Sequence, residues 1–166
     1  MRAFLNLLGL AGAMGVTTAL VLGYLTGFGF IELTTHIGVG LLSPAAPMLA
    51  FSITLFYFIA TGKAIGEAAQ KGHATEDDVA ATRGFKAKLF PWLLAAMIAL
   101  MAAPLSGAAF DTGKLPRYAH SIIAWASLAV LWLAWWKASA MLRENSAIMA
   151  KTAKAIRGDS GKMRNL

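Results

Sequence analysis

The sequence predicts an all-α integral membrane protein, with four transmembrane helices forming a bundle and a basic amphipathic C-terminal helix after them. Three observations predict it. Of 166 residues, 58% are hydrophobic and only 14% charged, whereas soluble domains carry about a quarter charged residues. Four apolar runs each come close to the ~20 residues a helix needs to cross a bilayer. The basic residues also divide unevenly between the ends of those runs, as membrane topology requires. The ten-residue alternation of barrel strands is not seen in them.

The elements follow in order. The first span covers about 4–30 and holds no charge. Met1-Arg2 and the small residues Ala11 to Gly15 resemble a signal peptide. The apolar stretch continues well past an ordinary signal core, so it reads as a retained span. The second span, about 45–62, opens at Pro44 and Pro47 and stops at Lys63. In the inner loop Thr75 is placed to cap a helix whose first turn is Glu76, Asp77 and Asp78, where the helix dipole favours acids. That helix leads through Lys88 into the third span, about 89–110, with Pro91 tolerated in its first turn. The fourth span, about 118–136, ends at Lys137. From 137 to 157, Met141, Leu142, Ile148, Met149 and Ile156 alternate with basic residues, which predicts a surface helix lying on the inner leaflet. Residues 1–157 form a single domain, and 158–166 read as a flexible tail.

Charge sets the orientation. With four spans, one side gathers Arg2, the loop with Lys63, Lys71, Arg83, Lys86 and Lys88, and the whole tail. The other side holds only Lys114 and Arg117 of the chain's 15 basic residues. This places both termini in the cytoplasm of a membrane of the bacterial inner type. The pI near 10.0 then expresses topology and attraction to anionic lipids rather than nucleic-acid binding. Aromatic residues fall near both boundaries, with Tyr57, Phe58, Phe90, Trp92, Trp135 and Trp136 inside and Phe28, Phe30, Phe110 and Tyr118 outside.

Small residues recur every four positions at Ala11, Gly15, Ala19, Gly23 and Gly27, and again at Ala95, Ala99, Ala103 and Gly107. Such ladders let helix backbones approach closely in lipid, so both are expected to be helix-packing faces. No duplication is drawn from them. Trp125, Trp132 and Trp136 share one face of the fourth span and form an expected partner or lipid face.

Polar residues near membrane depth are the natural functional candidates, and here they cluster at the outer side. Glu32 and His36 are spaced to share a helix face, Asp111 follows the third span, and His120 opens the fourth. The apolar segment Ile31–Pro44 is expected in the interface or folded back over the bundle, which would leave His36 off the spans. Three accounts of the cluster stand open. His36 and His120 are the only histidines on one side and could be axial ligands of heme b; this arrangement resembles membrane-bound b-type cytochromes, helical bundles with histidine pairs. A chlorophyll-type pigment held by a single histidine is a related account. Two histidines with Glu32 or Asp111 could instead hold a metal ion. Finally, all four can be ordinary interfacial residues, with Glu32 paired to Lys114 or Arg117, and this is the default.

No catalytic set can be assembled. The chain has no cysteine, which removes thiolate metal sites, iron–sulfur clusters and cysteine nucleophiles. No serine has a base placed on its helix face, and the spans hold no midplane charge of the kind pumps and coupled transporters use. The expectation is a non-enzymatic accessory subunit of a larger respiratory or photosynthetic electron-transport complex, packed against other integral membrane subunits and holding no cofactor by default. The alternative is an electron-transfer subunit that holds heme b through His36 and His120.

Overall fold

The computed structural model describes residues 1–164. Five α-helices account for nearly all of them: α1 Arg2–Gly27, α2 Leu33–Leu42, α3 Ala45–Gln70, α4 Glu76–Asp111 and α5 Arg117–Arg164. No strand occurs among the described residues. Four helical runs are long and apolar enough to cross a membrane, with α2 and α3 counting as one run, Leu33–Gln70.

That joining corrects the sequence reading of the second span. Ser43 and Pro44 keep right-handed helical dihedrals, at φ −60, ψ −32 and φ −66, ψ −22. Pro44 and Pro47 have no N–H to donate, so the hydrogen-bond ladder breaks without the chain reversing direction. The segment 31–44 therefore does not fold back over the bundle. α2 continues into α3, and His36 lies on one of the four runs long and apolar enough to cross a membrane.

The other boundaries have local causes. α1, α3 and α4 each end in a turn through a glycine with positive φ: Gly29 (φ 79), Gly72 (φ 76) and Gly113 (φ 70). In each turn the residue after the glycine donates its N–H five residues back, to Leu25, Ala68 and Ala109, a pattern that closes helix C-termini. α4 starts at Thr75 as expected, with a reciprocal cap between Thr75 and Asp78. It runs unbroken through Pro91 and Pro104.

α1 packs against α3 and α5, α4 packs against the same two helices, and α3 and α5 meet across the middle. The core between them contains Leu5, Phe51, Phe58, Leu89, Leu93, Leu100, Leu131 and Leu142, with Ala13, Ala96 and Ala134 where backbones come close. The exterior is apolar as well, with Phe56, Ile98, Leu105, Ile122 and Trp136 all exposed.

Residues 137–157 depart from the expected surface helix. They belong to the one continuous helix α5, and part of their apolar face is turned onto this chain. Leu142 and Asn145 are fully buried. Asn145 Nδ2 donates to Thr61 Oγ1 of α3 at 3.0 Å, and Lys151 Nζ pairs with Asp78 of α4 at 2.9 Å. The helix has partners of its own because α3 and α4 extend beyond the apolar belt alongside it. Its backbone is helical through Arg164, including most of the stretch read as a tail, and residues 165–166 lie outside the described residues.

The two halves of the chain are also built alike, which reverses the sequence reading that found no repeat. One constant offset carries Gly23 to Gly107, Gly29 to Gly113 and His36 to His120. The same offset carries the end of α1 to the end of α4 and the start of α2 to the start of α5. The turn bonds match one for one: Phe30 to Leu25 and Lys114 to Ala109, then His36 to Glu32 and His120 to Pro116, both at 3.4 Å. Thr61 and Asn145 are also equivalent positions, and they touch each other. Contact between equivalent positions is what an approximate two-fold relation between the α1–α2–α3 and α4–α5 halves produces.

Candidate functional site

The end of the bundle that carries the two equivalent turns, 28–32 and 112–116, contains a cleft of about 370 Å³, a volume within the usual range of small-molecule sites. Its walls come from both hairpins. Val16, Leu20, Ile37 and Leu100 make it apolar, and His36 and His120 stand on opposite halves of the lining.

Each histidine is seated on a glycine of the neighbouring helix. A Cβ on Gly23 would come within 2.8 Å of His36 Cε1, and one on Gly107 within 3.3 Å of His120 Cε1. His36 Nδ1 lies 3.1 Å from the Ala19 carbonyl. A carbonyl only accepts, so this nitrogen carries the proton. His120 Nδ1 lies 2.9 Å from Ser106 Oγ. The Ser106 hydroxyl already donates to the Ala103 carbonyl at 2.7 Å, so His120 Nδ1 donates here too. With the proton on Nδ1, Nε2 of each uncharged imidazole is the atom left with a lone pair to offer a ligand. A histidine ligand tied at its other nitrogen in this way has its tautomer and orientation fixed. Phe110 stacks parallel to His120, at 7° and 6.4 Å between ring centroids.

Two further polar atoms of the lining, Thr26 Oγ1 and Ser43 Oγ, are buried without a hydrogen-bond partner. Such groups are costly unless something else satisfies them. Asp111 and Arg117 line the cleft at its exposed rim. Glu32 does not join it. Its side chain is exposed and accepts from Thr34 Oγ1 at 3.3 Å, and among the described residues it pairs with neither Lys114 nor Arg117. Of the four residues in the expected outer cluster, the structure gathers His36, His120 and Asp111. No group of three or more metal-ligating side chains comes together among the described residues, so the account with Glu32 or Asp111 as a third metal ligand has no geometric set.

The small-residue ladders divide by role. Ala19, Gly23, Ala103 and Gly107 serve the cleft, as seats or carbonyl acceptors. Gly15 faces Ser43, Gly27 lies under the Arg117 guanidinium, and the Ala99 carbonyl accepts from Ser127. Ala11 and Ala95 are exposed and make no packing face within this chain. The close approaches that sequence reasoning missed are Gly9 against Trp135 and Gly12 against Pro47.

The tryptophans of α5 also divide by role. Trp125 donates to Tyr24 Oη at 2.8 Å, Trp132 to Thr17 Oγ1 at 3.3 Å and Trp135 to the Asn6 carbonyl at 3.2 Å. Of the face expected to meet a partner or lipid, Trp125 and Trp136 are exposed, at 52% and 63%, while Trp132 is turned toward α1. Three indoles of α5 thus tie α1 to α5 along the length of the bundle.

The chain matches no protein-family model, no curated protein and no solved structure.

Proposed function

We propose that this chain is a four-span integral membrane subunit that carries electrons on a b-type tetrapyrrole held between His36 and His120. The observation that supports it most is the placement of the two imidazoles. They occupy equivalent positions on two equivalent hairpins, line one apolar cleft, and keep Nε2 free while Nδ1 is tied. Axial ligation by paired histidines needs this donor set. In other respects too the lining suits the group: it is mostly apolar, and two unsatisfied hydroxyls, Thr26 Oγ1 and Ser43 Oγ, remain in it. When bound, such a group supplies reversible one-electron transfer. The protein's part is to hold the two rings, exclude water and set the polarity around them. On this reading the protein is a carrier and not an enzyme.

The apolar exterior and the uneven division of basic residues support insertion in a membrane of the bacterial inner type, with both termini cytoplasmic and the cleft toward the opposite face. The basic end suits anionic lipids. A second reading, a cofactor-free accessory subunit of a respiratory or photosynthetic complex, is favoured by exposed Trp136, Phe28 and Phe30, which suit contact with other membrane subunits.

A dithionite-reduced minus oxidised spectrum of the chain purified in mild detergent separates the two. A b-type band that disappears in His36→Ala and in His120→Ala supports the carrier reading. A colourless sample that takes up no added hemin overturns it, and co-purification with a larger complex would then favour the accessory reading.

A further inference from the structure

Resting on that reading of the cleft, we propose that Arg117 binds a carboxylate arm of the ligand. The ligand is then a macrocycle with free carboxylates, of the heme b kind, rather than a pigment whose side chains are esterified, of the chlorophyll kind.

The argument starts from an asymmetry. The two-fold that equates His36 with His120 equates Arg117 with Leu33 and Asp111 with Gly27. The walls agree at the imidazoles and differ at the rim, where only one of them carries a guanidinium. Arg117 stands at the start of α5 and lines the mouth of the cleft. Its guanidinium lies over the bare backbone of Gly27, where any Cβ would collide with it.

No carboxylate pairs with Arg117 among the described residues, although Asp111 stands on the same rim. A guanidinium is always charged, and its planar fork of donors matches a carboxylate with two parallel hydrogen bonds. Thr26 Oγ1, next in the chain to Gly27, is buried and unpartnered in the same lining, a second donor in the cleft. An arginine kept free of its neighbouring acid, with an unsatisfied hydroxyl in the same cleft, is a receptor for an incoming carboxylate. An esterified arm has no charge to offer it.

The test titrates the full chain in mild detergent with hemin and with hemin dimethyl ester, in the wild type and in Arg117→Gln. Wild type is expected to bind the diacid roughly tenfold tighter than the diester, the scale of one charge-assisted hydrogen-bonded pair. Arg117→Gln is expected to bind the two alike, and a histidine-ligated spectrum in the variant checks that its cleft is intact. Equal binding of diacid and diester by wild type overturns the proposal, and this comparison needs no variant. A preference that survives in Arg117→Gln overturns it as well. In both cases the histidine-ligated spectrum would persist and the carrier reading would stand. Failure of wild type to bind either compound would instead remove the carrier reading, and this inference with it.

Discussion

Gly23 and Gly107 show how little separates a seat from a clash. Each lets an imidazole occupy the place of a side chain, and the fit differs: an added Cβ would stand 2.8 Å from His36 Cε1 but 3.3 Å from His120 Cε1. Gly23→Ala must displace the His36 ring, whereas Gly107→Ala asks its neighbour to give by a few tenths of an ångström. Overpacking of the first kind costs about 1–3 kcal/mol. Hemin affinity measured by absorbance titration is therefore expected to fall roughly tenfold in Gly23→Ala and clearly less in Gly107→Ala. Equal losses would mean that the seats are not what positions the rings. The pairing of His36 with His120 was legible in the sequence because only two histidines share a side. The seats were legible only as members of ladders, since a four-residue period does not say which neighbour a small residue faces. The tryptophans show the same limit. Trp135 and Trp136 are adjacent, so a step of one residue around the helix decides which of them meets α1.

At the scale of elements, the junction between α4 and the end of α5 is set by one carboxylate. The Lys151 ammonium, hydrogen-bonded to Asp78, lowers its carboxyl from the ordinary 3.8 to about 2, helped by the backbone and hydroxyl of Thr75. The native value lies below the unfolded one, so the stabilisation is complete above the ordinary carboxylate range. It is lost as pH falls from about 4 through about 2. Thermal unfolding in detergent across that window should show a drop in wild type that is reduced in Asp78→Asn. An identical drop in both would place the acid sensitivity elsewhere. Thr75→Ala should cost about 1 kcal/mol at neutral pH, the usual worth of an N-cap, read from the same unfolding curves. This cap was legible in advance, because Thr75 and the acids after it form a local pattern. The length of the second span was not. Pro44 and Pro47 read as a start because proline suits a first helical turn, but the same fixed φ lets a helix continue across them.

Over the whole molecule, composition carried the class of fold, since so few charged residues force apolar side chains outward. The relation between the halves was also present in the sequence, as one spacing of glycine, glycine and histidine used twice. It escaped notice because most other equivalent positions differ, as Trp125 differs from Leu41, and those that agree are mainly the alanines and leucines common throughout the chain. The extension of α5 was hidden for another reason: an amphipathic helix looks the same whether its apolar face meets lipid or protein. Deleting the chain from Lys137 onward tests which face it meets. The deletion removes buried Leu142 and Asn145, so the thermal midpoint in detergent should drop markedly, with no membrane present to explain it. An unchanged midpoint would return this segment to the membrane surface.

The approximate two-fold has a consequence for how such a site can vary. When two identical subunits face each other across an axis, every substitution is made on both walls at once, and an arginine at one rim brings an arginine at the other. Joined in one chain, the walls vary independently. Leu33 can stand where its counterpart is Arg117, and Thr61 can meet Asn145 across the axis instead of a copy of itself. A pocket that grips a two-faced ligand evenly can thereby distinguish one edge of it from the other, and so admit that ligand in a single orientation.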